Sequence, residues 1–396
     1  MELNKIFQGD ALEVLKTFES ESVHCIITSP PYFGLRDYGV AGQLGLEKTP
    51  EKYVENLVKV FHEAKRVLKK DGTFWLNMGD SYGGSGMGLS SKGFSKGPKA
   101  IDTRPMEMRP ATVNKSVSMH KQLLGMPWRL AFALQADGWI LRSDIIWNKP
   151  NPMPESVTDR CTKSHEYIFM LTKSERYYYD AEAIKEPTAP WNSSEGFKEA
   201  AYERRDNPQS GGFSHEDVEK SGRNKRDVWT VATQPCTEAH FATFPPKLIT
   251  PMLLAGCPEF VCNKCGKPKI RIIEHKNAVL ELSTTAKLKR EQGLATQTGG
   301  KQISPASSKT IGYTDCDCEA GFSGGIVLDP FMGAGTTGLV AKSLNRNYVG
   351  IELNPEYIKM AEARIAAPAK PEKKKRLSYK KAIAIIQESL FPEVKK

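Results

Sequence analysis

No stretch of this sequence stays apolar for the roughly 18 residues that a membrane-crossing helix needs, and its first ten residues, Met1 to Asp10, hold neither the basic nor the apolar segment of a secretory signal. The expectation is a cytoplasmic chain with no membrane partner. Cysteine is scarce, eight in 396 residues, and in a chain expected to be cytosolic these argue against a disulfide framework. Acidic residues are the minority charge, 46 against 56 Lys and Arg, which leaves a net charge of +10. An excess of Lys and Arg suits a polyanionic partner, because each cation that meets a phosphate releases a counterion. No internal repeat is present, and charged residues at 26% with hydrophobic residues at 39% describe an ordinary folded protein.

What is there reads as strands alternating with helices, hence an α/β doubly wound sheet with helices on both faces. Ser22–Thr28 is a short apolar strand that runs into Ser29-Pro30-Pro31-Tyr32. Thr49 caps a helix with Pro50 at its first position and an apolar face repeating to Leu68, and Lys69-Lys70-Asp71-Gly72 is expected to close it. Thr73–Asn77, Ile140–Trp147 and His165–Leu171 read as strands, and Gln122–Leu134 as a helix. Near the C-terminus, Gly325–Asp329 and Tyr348–Glu352 are strands, and Thr337–Leu344 and Pro355–Ile365 are helices. The chain divides into residues 1–150, with a Gly- and Ser-rich surface loop at 79–120; 151–239, a core strand plus a polar insertion; 240–257, a cofactor-side helix; 258–322, a cysteine-bearing insertion; 323–366; and a basic tail, 367–396.

Two motifs carry chemistry. Asp329-Pro-Phe-Met-Gly-Ala-Gly-Thr-Thr337 joins a strand to a helix. Gly333 and Gly335 let backbone approach a ligand, and the helix start offers free N–H groups to a carboxylate. Glu352 ends the next strand, where an acid accepts bonds from ribose hydroxyls. Asp329 ahead of the loop repels a pyrophosphate and suits the ammonium of a methionine moiety, which favours S-adenosylmethionine over a dinucleotide. In Ser29-Pro30-Pro31-Tyr32, the Pro30 carbonyl and the Ser29 hydroxyl can accept the two hydrogens of a base amino group, drawing its nitrogen towards a tetrahedral, nucleophilic geometry. The prolines, Pro31 included, stiffen the turn. Tyr32, or Phe33 beside it, could stack on a base swung out of the duplex. An ordinary proline turn remains the alternative for this motif taken alone.

These residues resemble the β group of DNA amino-methyltransferases, adenine-N6 and cytosine-N4, in which the Pro-Pro-Tyr motif precedes the adenosylmethionine loop in a circularly permuted order. The resemblance runs over most of residues 1–365, including Gly9-Asp10 and His240 to Ile249. It implies a Rossmann-like, seven-stranded, mostly parallel sheet in a cytoplasmic enzyme of a bacterium or phage. It also implies double-stranded DNA as partner, a cognate restriction endonuclease and a homodimer as further partners. By the same likeness Asp10 meets the cofactor adenine, Phe331 and Phe244 line its pocket, Thr336 and Thr337 hold the methionine carboxylate, and Lys149 and Asn151 help cradle the target base. A serine at the first motif position favours cytosine-N4; adenine-N6 is the alternative, and a DNA-binding protein with an inactive methyltransferase fold is a third reading. A cytosine-C5 mechanism would need a nucleophile such as Cys236 in Pro235-Cys236, which has no partner motif. Cys262-x-x-Cys265 and Cys316-x-Cys318 suit a structural zinc in a ribbon-like insertion, with unligated cysteines as the alternative. Residues 80–120 and 150–235, rich in Lys, Arg, Asn and Gln, are the expected DNA-reading segments.

Overall fold

In the computed structural model, apolar strands meet in one mixed sheet, and the carboxyl ends of its parallel strands border a cavity. The structure describes residues 1–35, 37–83, 121–186, 222–234, 244–276, 279–282, 300–304 and 307–367. Most of the 79–120 loop, much of the 150–235 segment, Pro235-Cys236, His240 to Thr243 and the basic tail lie outside them. The strands are β1 (Lys5–Gln8), β2 (Val23–Thr28), β3 (Leu68–Met78), β4 (Ile140–Asn148), β5 (His165–Thr172), β6 (Val228–Thr230), β7 (Val261–Cys262), β8 (Arg271–Lys276), β9 (Val279–Leu282), β10 (Gly300–Ser304), β11 (Ser307–Tyr313), β12 (Phe322–Ser323), β13 (Ile326–Asp329) and β14 (Asn347–Glu352). The helices are α1 (Ala11–Lys16), α2 (Pro50–Val67), α3 (Met126–Ala136), α4 (Pro246–Gly256), α5 (Thr336–Ser343) and α6 (Pro355–Ala366).

The main sheet has the order β1-β14-β13-β2-β3-β5-β4-β6, with β5 antiparallel to both of its neighbours and every other pair parallel. It holds eight strands, one more than the seven expected; β6 is only three residues long and completes the edge beside β4. The centre is apolar throughout: all six residues of β2 are buried, as a strand covered on both faces requires. One core lies under α1, α2 and α3, the other under α4, α5 and α6. Helix α2 shows how sequence dictates this. The Thr49 hydroxyl accepts the Lys52 N–H, Pro50 opens the helix, and Tyr53, Leu57, Val60, Phe61, Ala64 and Val67 recur on one face and are all buried. Each such large side chain taken from water contributes roughly 1.5–3 kcal/mol.

One local expectation fails. Lys69-Lys70-Asp71-Gly72 does not close a helix but forms the start of β3, because Leu68 already pairs with Val23 of β2. The helix ends at Val67, where Leu68 turns to extended backbone. Burial of Leu68 against β2 outweighs the turn preference of a local Asp-Gly.

Candidate active site at the carboxyl ends of the sheet

From β13 the chain crosses through α5 to β14, and from β2 it crosses through α2 to β3, so the two crossovers leave in opposite directions from adjacent strands. The split between β13 and β2 is therefore the topological switch point, where a crevice opens outside the strand ends. A cavity of about 300 Å³ occupies that place, and both motifs line it: Ser29 to Tyr32 from the end of β2, Pro330 to Ala334 from the end of β13. Gly9 and Asp10 after β1 and Glu352 to Asn354 after β14 complete one side; Asn77, Trp147, Lys149 and Glu166 complete the other.

On the cofactor side, Glu352 accepts the Gly333 N–H at 2.8 Å and the Asn354 N–H at 2.9 Å. Burial raises its proton affinity in spite of these bonds. Gly335 caps α5 at φ +73°, and a Cβ there would stand 2.8 Å from the Cβ of Ala361. Arg364, on α6, donates to the Ala334 carbonyl and to the Thr336 hydroxyl, both at 2.9 Å, and so brings a positive charge to the start of α5. Apolar surface from Phe331, Phe244, Leu35, Val40 and Tyr357 lines the rest. A flat ring, a sugar whose hydroxyls can bond Glu352, and a carboxylate near the α5 terminus fit this set of residues, which is the chemistry of S-adenosylmethionine. Asp10 borders the cavity, and its Oδ1 is already committed to the Leu12 and Glu13 N–H groups as the cap of α1.

Two cofactor-side expectations change. Asp329 does not reach the cavity surface: it is fully buried, with Oδ1 accepting from the Thr28 hydroxyl at 2.6 Å and the Phe331 N–H, and Oδ2 from the Thr337 hydroxyl at 2.7 Å. Burial pushes its carboxyl up to about 6, against the pull of those bonds. Thr337 is correspondingly a fully buried donor to Asp329 rather than a wall of the cavity, whereas Thr336 borders it. Asp329 thus ties β2 to the glycine loop at the switch point.

On the catalytic side the Ser29 hydroxyl donates to Tyr32 Oη at 3.2 Å, and Tyr32 Oη donates to Glu166 Oε2 at 2.7 Å. The Asn77 amide donates to Tyr32 Oη at 2.7 Å and to the same Glu166 oxygen at 2.9 Å. The Lys149 ammonium holds the other oxygen, Oε1, and lies 4.3 Å from the centre of the Trp147 ring. Burial works to raise Glu166, but the Lys149 charge and the hydrogen bonds outweigh it and keep the carboxyl below its ordinary range. Burial and the Glu166 charge drive Tyr32 in the opposite direction, well above the ordinary phenol range. Gly79 makes the arrangement possible, since a Cβ there would meet the Tyr32 ring at 2.8 Å.

Phe33, the alternative to Tyr32 for stacking on a base, and Asn151, placed at the target base by the resemblance, both lie away from the cavity. Phe33 is 1% exposed and packs against Tyr53 in the core, because the turn after Tyr32 points the next side chain inward. Asn151 is exposed and clasps the backbone of Thr233 through both ends of its amide, outside the cavity. Sequence reading missed Glu166, Asn77 and Arg364. The first two sit on neighbouring antiparallel strands, where pairing of Asn77 with Ile168 brings Glu166 to the same end.

The four cysteines of the insertion come together, with all Sγ atoms within 4.8 Å of one another. Among the described residues no helix is long and apolar enough to cross a membrane.

Comparison with known proteins shows the family. The DNA methylase family model matches residues 23–263 and 313–363. The type II methyltransferase M.Cfr9I of Citrobacter freundii is 42% identical over 367 residues, covering 92% of this chain and 89% of that protein. M.SmaI of Serratia marcescens is 38% identical, over 91% of this chain and 90% of its own length. Among solved structures, PvuII DNA methyltransferase (cytosine-N4-specific) aligns with a TM-score of 0.49 at 17% identity, covering 98% of this chain and 93% of that one. With a family match over most of its length and relatives near 40% identity, this chain belongs to the N6/N4 DNA methylase family, the amino-methyltransferases that draw on S-adenosylmethionine.

Proposed function

We propose that the chain methylates the N4 amino group of cytosine in double-stranded DNA, on a base turned out of the helix into the cavity. Bound S-adenosylmethionine supplies an electrophilic methyl group on a sulfonium, and the residues of this chain make the amino nitrogen able to attack it. One observation carries the reading: the single proton of the Ser29 hydroxyl is spent on Tyr32 and the Asn77 amide reaches its oxygen at 3.4 Å, so the remaining lone pair is what it offers the substrate. The Pro31 carbonyl is occupied by the Tyr53 hydroxyl at 2.7 Å, which leaves the Pro30 carbonyl as the turn's other acceptor.

Two acceptors fixed beside an amino group take its two hydrogens and localise its lone pair, and being fixed in advance they cost no reorganisation. Glu166 strengthens Ser29 at a distance. Its charge orients the Tyr32 hydroxyl, and Tyr32 in turn orients Ser29. Held below its ordinary range, Glu166 is a poor proton acceptor at neutral pH and acts as a fixed charge rather than a general base. Lys149 pairs with Glu166 at the cavity wall and presents apolar stem and charge beside Trp147. The serine at the first motif position supports cytosine over adenine, and a cognate restriction endonuclease blocked by the methyl mark completes the reading.

Methylating DNA with the purified chain, digesting it to nucleosides and identifying the product by mass spectrometry tests the proposal. N4-methylcytosine is expected. N6-methyladenine alone would refute the base assignment, and no methylated nucleoside from an intact, cofactor-binding protein would support the inactive alternative.

A further inference from the structure

The cysteine cluster lies outside the cavity and takes no part in the chemistry above. We propose that Cys262, Cys265, Cys316 and Cys318 bind one structural zinc ion that closes the base of the 258–322 insertion.

The spacing of the four sulfurs suits a tetrahedral thiolate site. Four sulfurs bound to zinc at about 2.3 Å stand roughly 3.8 Å apart, and these four lie within 4.8 Å of one another before any ion draws them in. None is joined in a disulfide. The turn from Cys262 to Cys265 is already wound for a metal: the Gly266 N–H donates to the Cys262 carbonyl at 3.0 Å, the Lys264 N–H approaches Cys262 Sγ at 3.4 Å, and Gly266 takes φ +67°. An N–H aimed at a sulfur favours its thiolate form, the form that binds metal. In the turn between β11 and β12 the Cys316 N–H is held by the Asp315 carboxylate at 2.8 Å. Strands β7 and β12 pair Cys262 with Phe322, which fixes the two halves of the cluster side by side. Four soft sulfur donors with no carboxylate or histidine among them select zinc over a hard cation, and they leave no open position for substrate.

Its place in the fold sets its role. Ser323 of β12 is followed within three residues by Ile326, the first residue of β13, and the cavity lies beyond Asp329 at the far end of that strand. Four residues of strand span about 13 Å, so the ion is separated from the reacting groups by the length of β13. From the cluster the chain leaves as β8 and returns as β11, and this arm leans on the core through Arg271, which bonds both oxygens of Asp180 at 2.8 to 3.1 Å. Zinc therefore ties together the two ends of an arm that is otherwise held by the two-residue β7–β12 pair and the Arg271–Asp180 contact.

The test uses the purified full-length chain. Elemental analysis after dialysis should give about one zinc per chain, and mercurial titration should release it, as read with a chromogenic chelator. Cys262→Ser and Cys318→Ser should lose the zinc and lower the thermal midpoint, while Cys161→Ser, an exposed cysteine outside the cluster, should keep both. If the serine variants do not fold, the native chain remains informative: its four cluster thiols should resist a thiol reagent until the metal is removed. A folded chain without zinc, whose cluster thiols react as fast as Cys161, would overturn the site. Iron in its place would overturn the zinc assignment. The result does not depend on which base is methylated.

Discussion

Replacing Glu166 with Gln should slow methyl transfer by about 10²-fold while leaving cofactor affinity within about threefold. The carboxylate serves three donors: Tyr32 Oη and the Asn77 amide on one oxygen, the Lys149 ammonium on the other. A Gln amide has only one acceptor end. Lys149 can only donate, so the amide oxygen turns to it and the NH2 turns to Tyr32. Tyr32 must then accept, its own proton swings to Ser29, and the lone pair that Ser29 offers the substrate is taken. A hydrogen bond to a charged group contributes about 1.5–3 kcal/mol. Losing the equivalent of one such bond in the transition state, about 3 kcal/mol, gives the expected 10²-fold.

The assay is single-turnover transfer of a labelled methyl group, with calorimetric cofactor binding as the control. A rate within about threefold of the parent would refute the relay from Glu166 to Ser29. Stability must be tracked as well, because Glu166 and Lys149 are 15% and 18% exposed, and breaking such a pair costs up to about 3–5 kcal/mol. Adding Lys149→Met to Glu166→Gln removes the orphaned charge. The double variant should regain stability and stay slow; recovery of the rate along with stability would show that Glu166 acts only by holding the fold.

Three further outcomes follow from the cofactor side. Glu352→Ala should weaken S-adenosylmethionine binding by 10-fold or more in a calorimetric titration, as expected for loss of about 1.4 kcal/mol or more from charge-assisted bonds to ribose; unchanged affinity would remove Glu352 from the site. Asp329, pushed up to about 6 in the fold against about 3.9 unfolded, holds a proton that the unfolded chain has lost between those values. Its contribution is thus full below about pH 4 and lost as pH rises through about 6, on the order of 2–3 kcal/mol. Asp329→Asn cannot ionise, so its denaturant midpoint should decline less than the parent's between pH 4 and 6.5; identical slopes would contradict the burial argument. Gly335→Ala forces a Cβ into left-handed backbone and against Ala361, and should cost about 2 kcal/mol in thermal unfolding, whereas Gly333→Ala, with no neighbour nearer than 3.9 Å, should cost about half of that.

The parts of the site that were legible in the sequence are those whose chemistry is local. A proline-stiffened turn after an apolar strand, and a glycine loop between strand and helix, announce themselves within ten residues, and the fold brings them to one cavity. Glu166 and Asn77 carry no such signal. Each is an ordinary strand residue that acquires meaning only when β5 runs antiparallel beside β3. Phe33 illustrates the converse problem. An aromatic next to a catalytic turn has the same composition whether it stacks on a base or fills the core, and only the backbone direction after Tyr32 decides. Asp329 was placed in the right loop but on the wrong side of its wall, because its two threonine partners come from positions 301 residues before it and eight after it. Lys69–Gly72 misled for a similar reason, since a distant strand claimed a segment that looks like a turn.

The pairing of β1 with β14 joins segments far apart in the sequence, from Lys5 opposite Val349 to Gln8 opposite Glu352, with the Gly9 N–H on the Glu352 carbonyl. Strand β1 thus waits for a partner synthesised long after it. Until about residue 352 has emerged, the nascent chain has Ser29 to Tyr32 but neither the floor of its cavity nor the neighbours of β2 on one side. Such long-range pairing makes folding slow. A product cut short before β14 would lack Glu352 and the wall it gives to the cavity, so the proposed cofactor site is complete only once that strand is made.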